Sequence, residues 1–235
     1  MVSSQHIPPF RAIPALDPGR TADAVLLTER QRQELENIGL RQRFPPRTVV
    51  YKEGDAAQWV FAVTEGAVKS YRDLRSGRRV VSAFLFSRDL FGLAANGQYV
   101  NSAQTIARTT LYRLPVRELA VLLRQHGDIQ FAFLSKLTHE LRESQRRAIL
   151  VSRRDASGRV AMFIAQMGER LDRDATGLVP LPMSRSDIAA FTGLSLESIS
   201  RAAGDLERRG LVKFEGRHSA RILDPAGFAK LTGAI

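Results

Sequence analysis

Glu197, Ser200 and Arg201 stand at i, i+3 and i+4 in the stretch GLSLESISRAAGDLERRGLV, residues 193–212. In a helix these three side chains leave one face together, because residues three and four apart lie a turn above one another. A carboxylate, a hydroxyl and a guanidinium side by side make a set of hydrogen-bonding probes. The guanidinium fork matches O6 and N7 of guanine, a carboxylate accepts from N4 of cytosine, and a serine hydroxyl or its methylene meets thymine. The plain alternative is a surface Glu–Arg pair, stabilising by on the order of a few tenths of a kcal/mol. The neighbouring residues decide between the two.

Ser184-Arg185-Ser186-Asp187 has the form of a capping box with Asp in the usual place of Glu or Gln. It opens a helix whose apolar side is Ile188, Ala189 and Phe191. Thr192-Gly193-Leu194 predicts a tight turn, and a second helix follows from Ser195 with Leu196, Ile199, Ala203 and Leu206 facing inward. A small residue four before the glycine and an apolar plug six after it, Ala189 and Ile199, meet the steric requirement of a helix-turn-helix. Ser184, Arg185, Ser186, Ser195 and Ser198, near the helix starts, are expected to hold DNA phosphates together with backbone N–H groups. LVKFEGRHSARIL (211–223) reads as a hairpin with Gly216, Arg217 and His218 at its tip, a wing whose Arg217 reaches the DNA backbone.

Other elements must carry this module. Residues 1–25 read as an irregular tail, and LLTERQRQELENIGL (26–40) as a short helix capped by Thr28. TVVYKEG (48–54), WVFAVTEGAVKSYR (59–72), RRVVSAFLF (78–86) and TIARTTLYRL (105–114) are β-like runs punctuated by Gly54, Gly66, Gly77, Gly92 and Gly97. Short strands at such spacing predict an antiparallel sandwich, roll or barrel over 26–127. After Pro115 the period turns helical. Over 128–152, Leu134, Leu137, Leu141, Ser144, Ala148 and Val151 alternate spacings of three and four, the rhythm of two helices packed side by side. Leu134, Leu137, Leu141, Ala148 and Val151 are therefore the expected seam of a homodimer, the alternative being a stripe docked on the chain's own core. The cluster SRRDASGR (152–159) marks the start of the C-terminal module, 153–235. The fold class is α+β.

Length and composition set limits. At 235 residues the chain has room for two modules with cores of their own. Lys and Arg exceed Asp and Glu by 11, which favours a polyanionic partner, yet only 13 of the 35 basic residues lie in 152–235. Charge alone therefore does not single out double-stranded DNA. The absence of cysteine removes disulfides, thiolate nucleophiles and Cys-ligated clusters. A metal-dependent enzyme on the β region is disfavoured because residues 48–114 contain no His. With neither a secretory signal nor eighteen consecutive apolar residues in the sequence, a cytoplasmic protein without a membrane partner is expected.

Beyond the N-terminal tail, the chain resembles the Crp/Fnr family of bacterial transcription regulators. LESISR (196–201) is similar to the recognition helix of its Fnr/FixK-like branch, with Glu, two residues, Ser and Arg. The cyclic-AMP receptor branch has Arg before the Glu and Gly before the later Arg, where this chain has Leu196 and Ser200. The resemblance thus implies a palindrome of TTGA and TCAA half-sites rather than TGTGA. Gly54, Gly66, Gly77 and Gly92 match the turns of the family's β-roll, and 128–152 its dimerisation helix. Nucleotide binders of the family carry Gly-Glu and Arg-Ser where this chain reads Gly92-Leu93 and Asn101-Ser102. That removes the carboxylate for the ribose and the cation for the phosphate, and a buried phosphate without its cation is costly. The resemblance further implies an activator that contacts RNA polymerase and, as in FixK-like members, needs no cofactor. The alternative keeps the DNA role but gates it through haem or a small molecule in the roll, with His6, His126, His139 and His218 as the available histidines.

Overall fold

The computed structural model describes residues 28–94, 96–171 and 176–233; the expected tail over 1–25 lies outside them. Helix α1 (Glu29–Ile38) begins with the Thr28 cap, closed as a capping box by Gln31. Eight strands follow: β1 (Leu40–Phe44), β2 (Val49–Tyr51), β3 (Trp59–Glu65), β4 (Val68–Asp73), β5 (Arg79–Leu85), β6 (Leu90–Phe91), β7 (Ser102–Thr105) and β8 (Thr109–Pro115). They form two antiparallel sheets ordered β1-β8-β3-β6 and β2-β7-β4-β5. The short β1 and β6 had no β signal in the sequence: LRQRF carries two arginines, and two residues are too few to show a period.

Alternation along β3 explains how one strand serves two cores. Phe61 and Val63 point into the roll with Tyr51, Leu85, Phe91, Tyr99 and Leu111, while Val60 and Ala62 point outward to Leu35, Leu114, Leu119, Leu122, Ile129 and Phe133. At the β3–β4 turn Gly66 has φ +89°, and a Cβ there would lie 2.3 Å from the Arg108 carbonyl oxygen. No other residue fits.

Helix α2 (Val116–Gln125) leads into α3 (Gly127–Ser152), 26 residues and about 39 Å long. Ile129, Phe133 and Leu150 are buried on the chain's own side, whereas Leu134, Leu137, Leu141 and Ala148 are exposed. Val151 is half-buried and packs on the C-terminal core. That core is built by α4 (Ala156–Arg170), β9 (Leu178–Pro180), α5 (Arg185–Thr192), α6 (Leu196–Arg208), β10 (Val212–Phe214), β11 (Ser219–Ile222) and α7 (Pro225–Thr232), with the strands in the order β10-β11-β9.

The C-terminal core does not end at the module's edge. Phe84 of β5 meets Phe163 of α4 at 6.0 Å and Phe191 of α5 at 5.2 Å, so the apolar cluster runs from the winged module into the second sheet of the roll. Ion pairs follow the same path. Lys69 of β4 reaches Asp187 of α5 at 2.5 Å. Asp89, in the β5–β6 turn, takes Lys136 of α3 on Oδ1 at 2.7 Å and Arg170 of α4 on Oδ2, to which the Phe86 N–H also donates at 2.9 Å. One buried carboxylate thus joins roll, long helix and winged module. Beside it, burial and the neighbouring Asp89 push the Glu140 carboxyl above its ordinary range.

Candidate nucleic-acid interface

The start of α5 is fixed by the capping box read from the sequence. The Asp187 N–H donates to Ser184 Oγ at 3.1 Å, and the Ser184 N–H returns to Asp187 Oδ2 at 3.3 Å. Gly193 ends the helix at φ +71°, the left-handed conformation that a tight C-terminal turn needs. Ser195 then caps α6 by accepting from the Ser198 N–H at 3.0 Å.

Ile199, Ala202, Ala203 and Leu206 are the buried side of α6. Leu196, expected inward, is instead 55% exposed. It is the first residue of the helix and sits one step outside the buried arc. Ala202 completes the inward set in its place. Glu197 and Arg201 are 76% and 72% exposed at the side chain and 3.4 Å apart. The surface ion pair of the plain alternative is present, and a solvated pair of this kind contributes only about 0–1 kcal/mol. Ser200 donates its hydroxyl proton to the Leu196 carbonyl at 3.1 Å, leaving the oxygen lone pairs as an outward acceptor.

The expected phosphate contacts lie around this helix. Ser184 and Ser186 hydroxyls are 2.8 Å apart, and Ser195 donates to Ser198 at 2.9 Å, so both serine pairs are engaged in capping as well as being exposed at helix starts. Arg185 stacks over Phe214 of β10 at 5.8 Å, and Arg217 sits with Gly216 at the wing tip. Arg185, Ile199, Ala203, Gly216 and Arg217 border one shallow hollow, which brings the wing tip and the α5 start to the same flank of α6. On the other flank lies Asp205, which no sequence motif singles out. It accepts from Ser157 of α4 at 2.8 Å and faces Arg208 and Arg209 at 3.5 Å each, contacts that hold its carboxyl below the usual range and tie α6 to the start of α4. Only its i+3 and i+4 arginines were visible beforehand.

The roll interior is filled by rings. Tyr51 stacks on Tyr99 at 3.7 Å and on Phe61 at 5.6 Å, and Phe61 stacks on Phe91 at 5.2 Å. Burial and the adjacent Tyr99 push the Tyr51 hydroxyl well above the ordinary phenol range. The positions that would serve a nucleotide are otherwise engaged. Asn101 accepts from the Tyr51 hydroxyl at 3.3 Å, Ser102 accepts from the Glu53 N–H at 3.0 Å, and Leu93 offers no carboxylate. This donor set does not fit a cyclic nucleotide phosphate. Of the histidines considered for haem, His126 lies at the α2–α3 junction and His218 at the wing tip; His6 and the His139 side chain lie outside what the structure describes. Among the described residues no helix is long and apolar enough to cross a membrane.

Residues 41–126 match the cyclic nucleotide-binding domain and residues 158–231 the Crp-like helix-turn-helix domain. Over 204 residues the chain is 31% identical to the transcriptional activatory protein AadR of Rhodopseudomonas palustris, covering 86% of this chain and 85% of that one. It is 30% identical over 204 residues to the nitrogen fixation regulation protein FixK of Bradyrhizobium diazoefficiens, covering 86% of each. The solved structure of FixK2 from Bradyrhizobium japonicum aligns with a TM-score of 0.77 at 29% identity, over 84% of this chain and 99% of that one.

Proposed function

The chain belongs to the Crp/Fnr family of transcription regulators, and on that premise we propose that it binds a palindromic operator of TTGA and TCAA half-sites as a homodimer. It is a sequence-specific DNA-binding regulator, not an enzyme. In the proposed division, 26–127 forms the roll, 128–152 the dimerisation helix and 153–235 the DNA-binding module. Leu134, Leu137, Leu141, Ala148 and Val151 form the seam between two α3 helices. The exposure of the three leucines in a single chain supports this, since a second copy of the stripe is the surface that would cover them. Two α6 helices then enter successive major grooves about 34 Å apart.

Glu197, Ser200 and Arg201 read base edges, while Ser184, Arg185, Ser186, Ser195, Ser198 and Arg217 hold the DNA backbone. The observation that carries the reading is the joint exposure of Glu197 and Arg201 on the outer face of a capped helix-turn-helix. The regulator acts in the cytoplasm, without a bound cofactor, as an activator that contacts RNA polymerase; its relatives AadR and FixK bear activator and regulator names.

Titration of the purified dimer against a TTGA/TCAA palindrome and a scrambled duplex of equal length tests this. The palindrome is expected to bind roughly 10³-fold tighter or more. Affinity for both duplexes falls linearly in log–log form with salt, because released counterions drive the phosphate contacts. Equal affinity for the two duplexes contradicts the reading.

A further inference from the structure

We propose that the second subunit completes two polar junctions that each chain leaves open, Gln145 of the partner subunit donating to Glu140 and Ser152 of the partner subunit accepting from Arg147. The proposal rests on the homodimer reading above and deepens it. Among the described residues, two buried side-chain atoms have no hydrogen-bond partner, Glu140 Oε1 and Arg147 Nε. Both lie on α3, two turns apart on one side of the helix. Lys136 Nζ stands 3.7 Å from that Glu140 oxygen, too far for a hydrogen bond, and is taken by Asp89 at 2.7 Å. The Arg147 guanidinium lies over the Phe191 ring of α5 at 5.2 Å, a contact that answers its charge and not its Nε–H. Buried polar atoms are costly to leave in this state.

Their places on the helix say what answers them. Glu140 and Arg147 each come one residue before a seam position, Leu141 and Ala148, while Gln145 and Ser152 each come one residue after one, Ser144 and Val151. The two winged modules must face one duplex, so the paired α3 helices run parallel. In a parallel pair, the residue before one seam position faces the partner's residue after the next. Glu140 therefore meets the partner's Gln145, and Arg147 meets the partner's Ser152. Donor matches acceptor in both. Gln145 is exposed in a single chain, and its side-chain amide carries two N–H donors for the Glu140 carboxylate. Ser152 gives its hydroxyl proton to the Ile149 carbonyl at 2.7 Å, which leaves its oxygen to accept from the Arg147 Nε–H. Glu140 shares Lys136 with Asp89, and Arg147 lies on the helix-turn-helix, so the partner holds the groups against which each DNA-binding module is set.

Fluorescence-detected sedimentation of the full-length chain measures the dimer dissociation constant. Gln145→Ala is expected to raise it about 100-fold, roughly tenfold for each of two equivalent contacts to a charged group. The variant keeps its helix, since the residue is exposed and alanine favours helix. In a chain that already carries Glu140→Ala, Gln145→Ala is expected to change the constant less than about twofold, because the group it answers is gone. A wild-type dissociation constant in Gln145→Ala overturns the proposal, as does a loss that persists undiminished beside Glu140→Ala. The same cycle with Ser152→Ala and Arg147→Ala decides the second contact by the same two outcomes. A wild type that sediments as a monomer at operator-binding concentrations overturns the homodimer reading itself.

Discussion

Arg201→Ala is expected to lower affinity for the palindrome by roughly 30-fold to 10⁴-fold, because a bidentate guanidinium–guanine contact discriminates by about 1–3 kcal/mol and the proposed dimer would make it twice. Binding to scrambled DNA falls far less, since only one positive charge per protomer leaves the sequence-independent attraction. The side chain is exposed and its ion pair with Glu197 at 3.4 Å is solvated, so the substitution leaves stability within about 0.5 kcal/mol of wild type. Fluorescence anisotropy on both duplexes gives the two affinities. A mutant with the wild-type ratio between them shows that Arg201 does not read a base.

Asp89→Ala destabilises the folded chain by about 3–5 kcal/mol, the range for removing one partner of a buried ion pair. Lys136 and Arg170 have side chains no more than 17% exposed, and both lose the Asp89 carboxylate at once, Lys136 keeping only the longer contact to Glu140 at 3.7 Å. The Phe86 N–H loses its acceptor as well. For a chain of this length each kcal/mol shifts the melting temperature by about 2–4 °C, so a drop on the order of 10 °C is expected in a thermal scan. The exposed pair Arg79–Asp73, 2.7 Å apart, is the control. Asp73→Ala changes stability by less than about 1 kcal/mol, because solvent screens that pair and the arginine regains water when it is broken. Equal effects at the two sites would show that Asp89 does not act as a buried junction.

The contrast between those two aspartates marks the limit of what the sequence disclosed. Local signals were legible: the Ser184 capping box, the Thr28 cap, the Gly193 turn and the Gly66 turn each follow from a few adjacent residues, and each lies where it was expected. Periodicity likewise marked α3 and the inward face of α6, apart from Leu196. That residue fits the inward spacing, yet as the first of its helix it has no covering neighbour, and spacing cannot register a missing partner.

Pairings between distant segments left no trace at all. Lys69 with Asp187, separated by 118 residues, and Asp89 with Arg170, separated by 81, look like ordinary surface charges until the fold brings them together. The same holds for Phe84 against Phe191. For that reason the roll and the winged module read as independent in sequence, while the structure extends the core of the winged module onto the second sheet of the roll. A single chain also leaves the Leu134, Leu137 and Leu141 stripe uncovered.

The most direct trial of paired α6 helices reading a two-fold operator is to insert five base pairs between its half-sites. Half a turn of B-DNA places the second half-site on the opposite face of the duplex, where a dimer held by α3 cannot reach it. Affinity is expected to fall to that of a scrambled duplex, with each half-site sequence left intact. Unchanged affinity after the insertion would mean that the two recognition helices do not engage DNA as a fixed pair.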